Sequence, residues 1–275
     1  RAGLGMRKQY GQHFLINPAV RRALVDALEA EAGEGVWEIG PGLGAMTRPL
    51  LEKGLWVRAF EIDGGFAGVL RGLFGGEPRF TLVSGDVMKT WPDAPAAPYL
   101  LGNLPYNIAA ALVADMIEKK RLFKRMVLTV QREVALRMAA RPGSADYASF
   151  SVLCASVYTV RPLMVIRGAS FYPRPNVDSQ GLRLELRAEA GERAYPDILY
   201  PLVRSLFASR RKMIKNKLRD FINSGILKGR HPALKAEDLA GAALAGSGLT
   251  GNERAENLDL ETFVALARAI EDMRT

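Results

Sequence analysis

The sequence predicts an α/β fold: a seven-stranded, mainly parallel sheet with its crossover helices, followed by a small all-α domain. Three observations carry this. Up to about residue 187, short apolar runs rich in β-branched residues alternate with amphipathic stretches, as repeated βα units require. A glycine-rich run, Gly40-Pro41-Gly42-Leu43-Gly44, sits between the first apolar run and the amphipathic stretch after it. Beyond Gly191 only the helical period of 3.6 survives, so the chain divides into a sheet domain over 1–190 and a helical domain over 191–275.

Taken in order, Asn17-Pro18 opens a first helix with Val20, Leu24 and Leu28 on one face and Arg21, Arg22, Asp26 and Glu29 on the other. Strands are predicted at Gly35 to Ile39, Trp56 to Glu61, Thr81 to Ser84, Tyr99 to Gly102 and Arg125 to Val130. Helices separate them near Ala45 to Lys53, Gly64 to Phe74, Ala109 to Lys119 and Gln131 to Ala140. Thr159 to Ile166 and Gly181 to Leu186 read as a closing strand pair. The helical domain is announced by Leu199, Leu202, Val203 and Leu206, then Ile214, Leu218 and Phe221, then Leu260, Phe263, Val264, Ala267 and Ile270.

The chain has 275 residues, 48% of them hydrophobic and 24% charged, a composition that supports a core and excludes a disordered or collagen-like protein. It contains no uncharged apolar run near the roughly 18 residues a membrane span needs, and no apolar segment of signal type near its start. The expectation is a soluble, cytoplasmic protein. The sequence opens on Arg1 rather than Met, which predicts further residues upstream. A single cysteine, Cys154, excludes an internal disulfide, and with two histidines there is no set of zinc ligands, so no metal is expected.

The net charge of +9 is unevenly placed. Arg204, Arg210, Arg211, Lys212, Lys215, Lys217 and Arg219 follow one another with no intervening acid. Such a cluster suits a polyanion, because each neutralised phosphate releases counterions, although charge alone fits a solvated helix face equally well. Arg211, Lys215 and Arg219 recur at i, i+4 and i+8, which predicts a basic stripe on one face while Ile214, Leu218 and Phe221 take another.

Glu38-Ile39-Gly40-Pro41-Gly42-Leu43-Gly44 gives the context of a nucleotide loop: an apolar strand, glycines that permit close backbone approach, then a helix N-terminus. A tight strand-to-helix turn reads the same way. The spacing is not that of the dinucleotide fingerprint, since the third glycine comes one residue early. With an acid, Glu38, at the end of the strand, it resembles the first motif of Rossmann-like S-adenosylmethionine-dependent methyltransferases. Glu61 ends the second strand, where a carboxylate accepts ribose hydroxyls, and Asp86 ends the third, on the same edge. Either acid alone also reads as a helix N-cap.

Asn103-Leu104-Pro105-Tyr106 follows the fourth strand. An exocyclic adenine amine is a poor nucleophile, because its lone pair is delocalised into the ring. An Asn103 amide oxygen and the Leu104 carbonyl can accept its two hydrogens and favour a pyramidal nitrogen. Pro105 stiffens the turn, and Tyr106 offers a face for the base, unless it is simply a core tyrosine in a polar turn. Phe171, held before Pro173 and Pro175, is placed to close the sandwich from the other side, or to pack as a core residue beside a proline-rich connection.

Together with Tyr10-Gly11-Gln12-His13-Phe14-Leu15, Asn103 to Ile108, Phe171 to Ser179, Phe207 to Lys212 and Asn257-Leu258, these motifs resemble the ribosomal RNA adenine N6-dimethyltransferase family over nearly the whole chain. The likeness is greatest to its small-subunit (16S) branch. The resemblance implies a Rossmann-like methyltransferase domain with a helical appendage, S-adenosylmethionine as cofactor, and dimethylation of two adjacent loop adenines in small-subunit rRNA during ribosome biogenesis. It implies cofactor contacts at His13, Leu15, Gly40, Gly42, Glu61, Asp86 and Asn103, and catalytic groups at Asn103, Leu104, Pro105, Tyr106 and Phe171. RNA contacts are expected at Arg210, Arg211, Lys212, Lys215 and Arg219, with an immature small subunit as partner, no membrane, and a monomeric enzyme. Two rivals share many of these features: a large-subunit rRNA methyltransferase of the antibiotic-resistance type, and a non-catalytic assembly factor. Two departures stand out. Ala109-Ala110 replace the usual Ser/Thr, which removes capping hydroxyls, and Gly64-Gly65 predict a loose start to the helix after Asp63.

Overall fold

The computed structural model describes residues 13–105, 108–190, 195–210, 212–226 and 235–273. The expectations at Tyr10 to Gln12, Tyr106, Asn107 and Arg211 lie outside the described residues. The strands are β1 (Phe14–Leu15), β2 (Gly35–Ile39), β3 (Trp56–Glu61), β4 (Phe80–Ser84), β5 (Tyr99–Asn103), β6 (Arg125–Gln131), β7 (Tyr158–Ile166), β8 (Phe171–Tyr172) and β9 (Ser179–Leu186). The helices of the first half are α1 (Pro18–Asp26), α2 (Thr47–Glu52), α3 (Gly64–Phe74), α4 (Val87–Thr90), α5 (Ala109–Glu118) and α6 (Arg132–Ala139). They are followed by α7 (Ser149–Val157), α8 (Leu199–Phe207), α9 (Ile214–Phe221), α10 (Ala236–Gly246) and α11 (Leu260–Asp272).

Seven strands form one sheet in the order β4-β3-β2-β5-β6-β9-β7. The first five run parallel, while β9 is antiparallel to both β6 and β7. The central strands are largely apolar, as a parallel sheet covered on both faces requires: Val36, Trp37, Ile39, Tyr99, Leu100 and Leu101 are all buried. This parallel arrangement brings the ends of β2, β3, β4 and β5 to one edge, with the segments after Ile39, Glu61, Ser84 and Asn103 emerging together. A separate two-stranded ribbon pairs β1 with β8, Phe14 opposite Tyr172 and Leu15 opposite Phe171. Two-residue strands have no periodicity, so no local pattern announces this ribbon.

The predicted strands and helices of the sheet region are all present, with ends displaced by at most a few residues. Asn17 caps α1 through its side-chain oxygen, which accepts from the Ala19 and Val20 amides. The loose start expected of α3 is corrected by its cap: Asp63 Oδ1 accepts from Gly65 at 2.8 Å and from Phe66 at 3.2 Å. At α5 the lack of a capping hydroxyl is real, since Ile108 precedes the helix without a side-chain bond. The Pro105 carbonyl instead accepts from the Ile108 and Ala109 amides.

The chain groups into two compact units, Arg1–Leu136 with Tyr158–Leu186, and Arg137–Val157 with Arg187–Thr275. The single cut expected at residue 190 differs from this grouping, because residues 137–157 pack with the helices. Helix α7 buries Ser151, Val152, Leu153, Cys154, Ser156 and Val157 in succession, so it carries no amphipathic signal. In the second unit, Tyr147 donates its hydroxyl to the Leu258 carbonyl, and Val152 joins the core formed by α8, α9, α10 and α11. Among the described residues no helix is long and apolar enough to cross a membrane.

Strand β9 joins β6 to β7, and Leu182 at its centre is fully buried. Leu182→Ala is expected to lower unfolding stability by about 2–5 kcal/mol, measured by urea denaturation.

Candidate active site

The glycine loop turns between β2 and α2 through left-handed backbone. Gly40 has φ +71°, and a Cβ there would lie 3.1 Å from the Asn103 carbonyl oxygen. Gly42 has φ +58°, and its Cβ would stand 2.7 Å from a Phe14 ring carbon. A side chain at either position meets both backbone strain and a neighbour, so the loop lies bare against the ends of β1 and β5.

Glu61 holds this loop. Its Oε2 accepts from the Gly42 amide at 3.0 Å and its Oε1 from the Asp63 amide at 2.9 Å. Burial raises the Glu61 pKa, and those two N–H donors oppose the rise. Each oxygen keeps a further lone pair, so the carboxylate can accept a ribose diol without giving up the loop. Glu38 lies deeper. It is fully buried, accepts from Thr47 Oγ1 at 2.6 Å through Oε2, and its Oε1 meets no partner. Burial, and secondarily the charge of Glu61, raise its pKa from 4.5 to about 8. Thr47 is a site-supporting residue the sequence reading missed; a hydroxyl nine residues beyond a strand-end acid was the available signal. Asp86 caps α4 by accepting from the Met88 amide at 3.0 Å, so its N-cap role and its place on the ligand edge coexist.

Asn103 ends β5 and donates from Nδ2 to the His13 carbonyl at 2.8 Å. This directs one end of the amide to the N-terminal segment and leaves Oδ1 as its acceptor. His13 in turn donates from Nδ1 to the Pro173 carbonyl at 2.8 Å. Leu104 is anchored twice, by a buried side chain and by its amide, which donates to the Thr129 carbonyl at 3.1 Å. The structure thus brings His13, Gly40, Gly42, Glu61, Asn103 and Leu104 into one bonded and packed set. Leu15 has its side chain in the core, which confines any cofactor contact there to the backbone.

Phe171 departs from the expected presentation. Its ring is 3% exposed and packs in the core with Leu15 and Ile166, whereas Tyr172 is 62% exposed. The cause is strand alternation: pairing with β1 sends residue 171 inward and 172 outward. A base can stack on Phe171 only after the atoms now covering it move aside.

In the second unit, α9 buries Ile214, Leu218 and Phe221 as its sequence pattern requires, with Lys212 and Lys215 exposed. Arg219 lies 3.9 Å from Asp220, and Lys217 3.8 Å from the same carboxylate. Arg210 does not belong to a free basic stripe. It donates to Glu256 at 2.7 Å and to the Ala145 and Ser144 carbonyls at 2.6 and 2.9 Å, fastening loops of its own unit. A guanidinium satisfied by three acceptors is poorly placed to bind phosphate as well.

A protonated Glu38 suits the folded state, so its stabilisation is complete below its unfolded pKa of 4.5 and is lost as pH rises through about 8. Glu38→Gln stays neutral throughout. Its melting temperature relative to the parent protein is expected to climb from about pH 5 to about pH 8 and then level off.

The model of the family "Ribosomal RNA adenine dimethylase" matches residues 3–243. A Treponema denticola protein described as ribosomal RNA small subunit methyltransferase A is 41% identical over 98% of this chain and 90% of its own length. A protein of the same description from Thermosynechococcus vestitus is 33% identical over 98% of both chains. Among solved structures, a dimethyladenosine transferase from Plasmodium falciparum superposes with a TM-score of 0.84 at 24% identity, covering 95% of this chain and 98% of its own. The 23S rRNA methyltransferase ErmE gives 0.67 at 24% identity, covering 94% and 99%. These superpositions show the Rossmann-like methyltransferase fold in a mainly parallel seven-stranded sheet. With the family model spanning most of the sequence and relatives this similar along nearly its full length, the chain belongs to the ribosomal RNA adenine dimethylase family.

Proposed function

We propose that this protein is an S-adenosylmethionine-dependent methyltransferase that dimethylates N6 of two adjacent adenines in a loop of small-subunit rRNA, during small-subunit maturation. The observation that carries the reading is Asn103-Leu104, pinned at the end of β5 beside the bare glycine loop, in a chain 41% identical to a small-subunit rRNA methyltransferase. The residues at the strand edge fit the cofactor. Glu61 retains acceptor capacity for a ribose diol, and Gly40 and Gly42 let the loop backbone pack closely against Asn103 and Phe14 at the strand edge. His13, Leu15, Asp86 and Asn103 complete the proposed cofactor contacts. When bound, the cofactor supplies an electrophilic methyl group on a sulfonium.

The protein contributes position and desolvation. Asn103 Oδ1 and the Leu104 carbonyl accept the two N6 hydrogens and turn the nitrogen lone pair toward the methyl group. Asn103 is held in place by the His13 carbonyl, Leu104 by the Thr129 carbonyl, and Pro105 limits movement of the turn. Tyr106 and Phe171 are the proposed stacking surfaces for the base. No strong general base is required, because the methylated nitrogen is cationic and its proton is acidic enough for water to remove. We assign catalysis to the sheet unit and RNA binding to the helical unit, with Arg211, Lys212, Lys215 and Arg219 as phosphate contacts. The partner is the immature small subunit, and the enzyme acts as a cytoplasmic monomer.

Methyl transfer is measured with labelled S-adenosylmethionine on undermethylated small subunits, large-subunit rRNA and naked DNA. Label is expected on small subunits alone, and Asn103→Ala is expected to lower the rate by roughly 10²–10³. Label confined to large-subunit RNA, or an unaffected Asn103→Ala, overturns the reading. Reversing charge at Arg211 and Lys215 is expected to weaken RNA binding and reduce the salt slope by about two, with cofactor binding retained.

A further inference from the structure

We propose that Tyr172, with Arg167 and Arg174, forms a second nucleotide subsite on the catalytic unit, which holds the rRNA nucleotide adjoining the target adenine. The inference rests on the function proposed above, and it gives Tyr172 a task separate from that of Phe171.

The ring is exposed, but the backbone that carries it is fixed from several sides. Phe14 pairs with Tyr172 and Leu15 with Phe171. The Ile16 amide donates to the Ser170 carbonyl at 2.8 Å, and His13 Nδ1 to the Pro173 carbonyl at 2.8 Å. His13 also accepts from Asn103 through its carbonyl, so one residue links the segment bearing the exposed ring to the amide that orients the reacting amine. Phe171, the preceding residue, anchors the same ribbon in the core. A solvent-facing ring on a backbone held this firmly has no packing role in the core to explain it.

The loop that carries Tyr172, and the start of α6, bear basic side chains without a partner among the described residues. Arg167, Arg174 and Arg132 are exposed, and none has an ion-pair or side-chain hydrogen-bond partner among the described residues. Their positions are nonetheless set by the fold. The Ser170 amide donates to the Arg167 carbonyl at 2.9 Å, and the Arg132 amide to the Asp178 carbonyl at 3.1 Å. Arg174 runs over Gly168, where a Cβ would lie 3.0 Å from its Cγ and 3.1 Å from its Nε, so the glycine leaves room for that side chain. An exposed π face on the same short loop as two guanidinium groups suits one nucleotide of single-stranded RNA: the base stacks and the phosphates meet positive charge. Two adjacent adenines must be presented in turn, and a platform for the neighbouring base fixes the register of the strand.

The test compares kcat and KM on undermethylated small subunits for the parent protein and for Tyr172→Ala, Tyr172→Leu, Tyr172→Phe and Tyr172→Trp. Binding of S-adenosylmethionine and thermal melting serve as folding controls. The Ala and Leu variants are expected to raise KM for the subunit roughly tenfold, within the range of one base–aromatic stack, while Phe and Trp restore it. Arg167→Gln combined with Arg174→Gln is expected to lower the slope of log KM against log salt by about two. An unchanged KM in Tyr172→Ala overturns the subsite. So does a Leu variant that behaves like Phe, which indicates an apolar contact with protein. A parent protein that leaves small subunits unlabelled refutes the proposed function itself, a result distinct from failure of the subsite.

Discussion

Glu61 is a carboxylate buried at the end of a parallel strand, and its two oxygens are occupied by the amides of Gly42 and Asp63. Burying such a charge is costly unless hydrogen bonds replace its water, and here the replacements come from the two segments that shape the ligand edge. One bond fixes the glycine loop in its left-handed turn. The other fixes Asp63, which in turn caps α3 through Gly65 and Phe66. The loop is then free of side chains where β5 approaches, and Asn103 can stand beside it. Glu38, with one oxygen on Thr47 and the other unpartnered, adds an acid best tolerated in its neutral form next to the Glu61 carboxylate. Burial raises the pKa of both acids at these adjacent strand ends, and Glu61 meets it with two amide donors where Glu38 has a single hydroxyl donor.

A second set of bonds ties the N-terminal segment to Asn103, the residue proposed to orient the reacting amine. His13 bridges Asn103 and Pro173 with its carbonyl and its ring, and the β1–β8 ribbon stacks Leu15 and Phe171 into the core. The segment before the first helix therefore acts as part of the site wall. It determines which face of the proline-rich motif is hidden and which is presented, and so separates Phe171 from Tyr172. The helical unit shows a comparable division among its basic residues: Arg210 is consumed in bonds to Glu256, Ser144 and Ala145, while Lys212 and Lys215 remain exposed.

Much of this was legible in the sequence. The strands that end in Ile39, Glu61 and Asn103 were readable because parallel strands covered on both faces are continuous apolar runs with polar punctuation. The apolar faces of α8, α9 and α11 were readable from their 3.6-residue period. Helix α7 was not, because its residues are buried on nearly every side and leave no period. Nor was the β1–β8 ribbon, whose strands are two residues long.

The sequence by itself determined the strands and crossover helices of the main sheet, the acids and glycines at the strand ends, and the family to which the motifs point, because each is a local pattern of side-chain size, charge and spacing. Tertiary structure alone decided that Arg210 is a fastening, that His13 joins Asn103 to Pro173, and that Phe171 is hidden while Tyr172 faces solvent. Those outcomes depend on contacts between positions far apart in the chain, such as Asn103 with His13 and Arg210 with Glu256, and no local pattern encodes which distant carbonyl or carboxylate a side chain will meet.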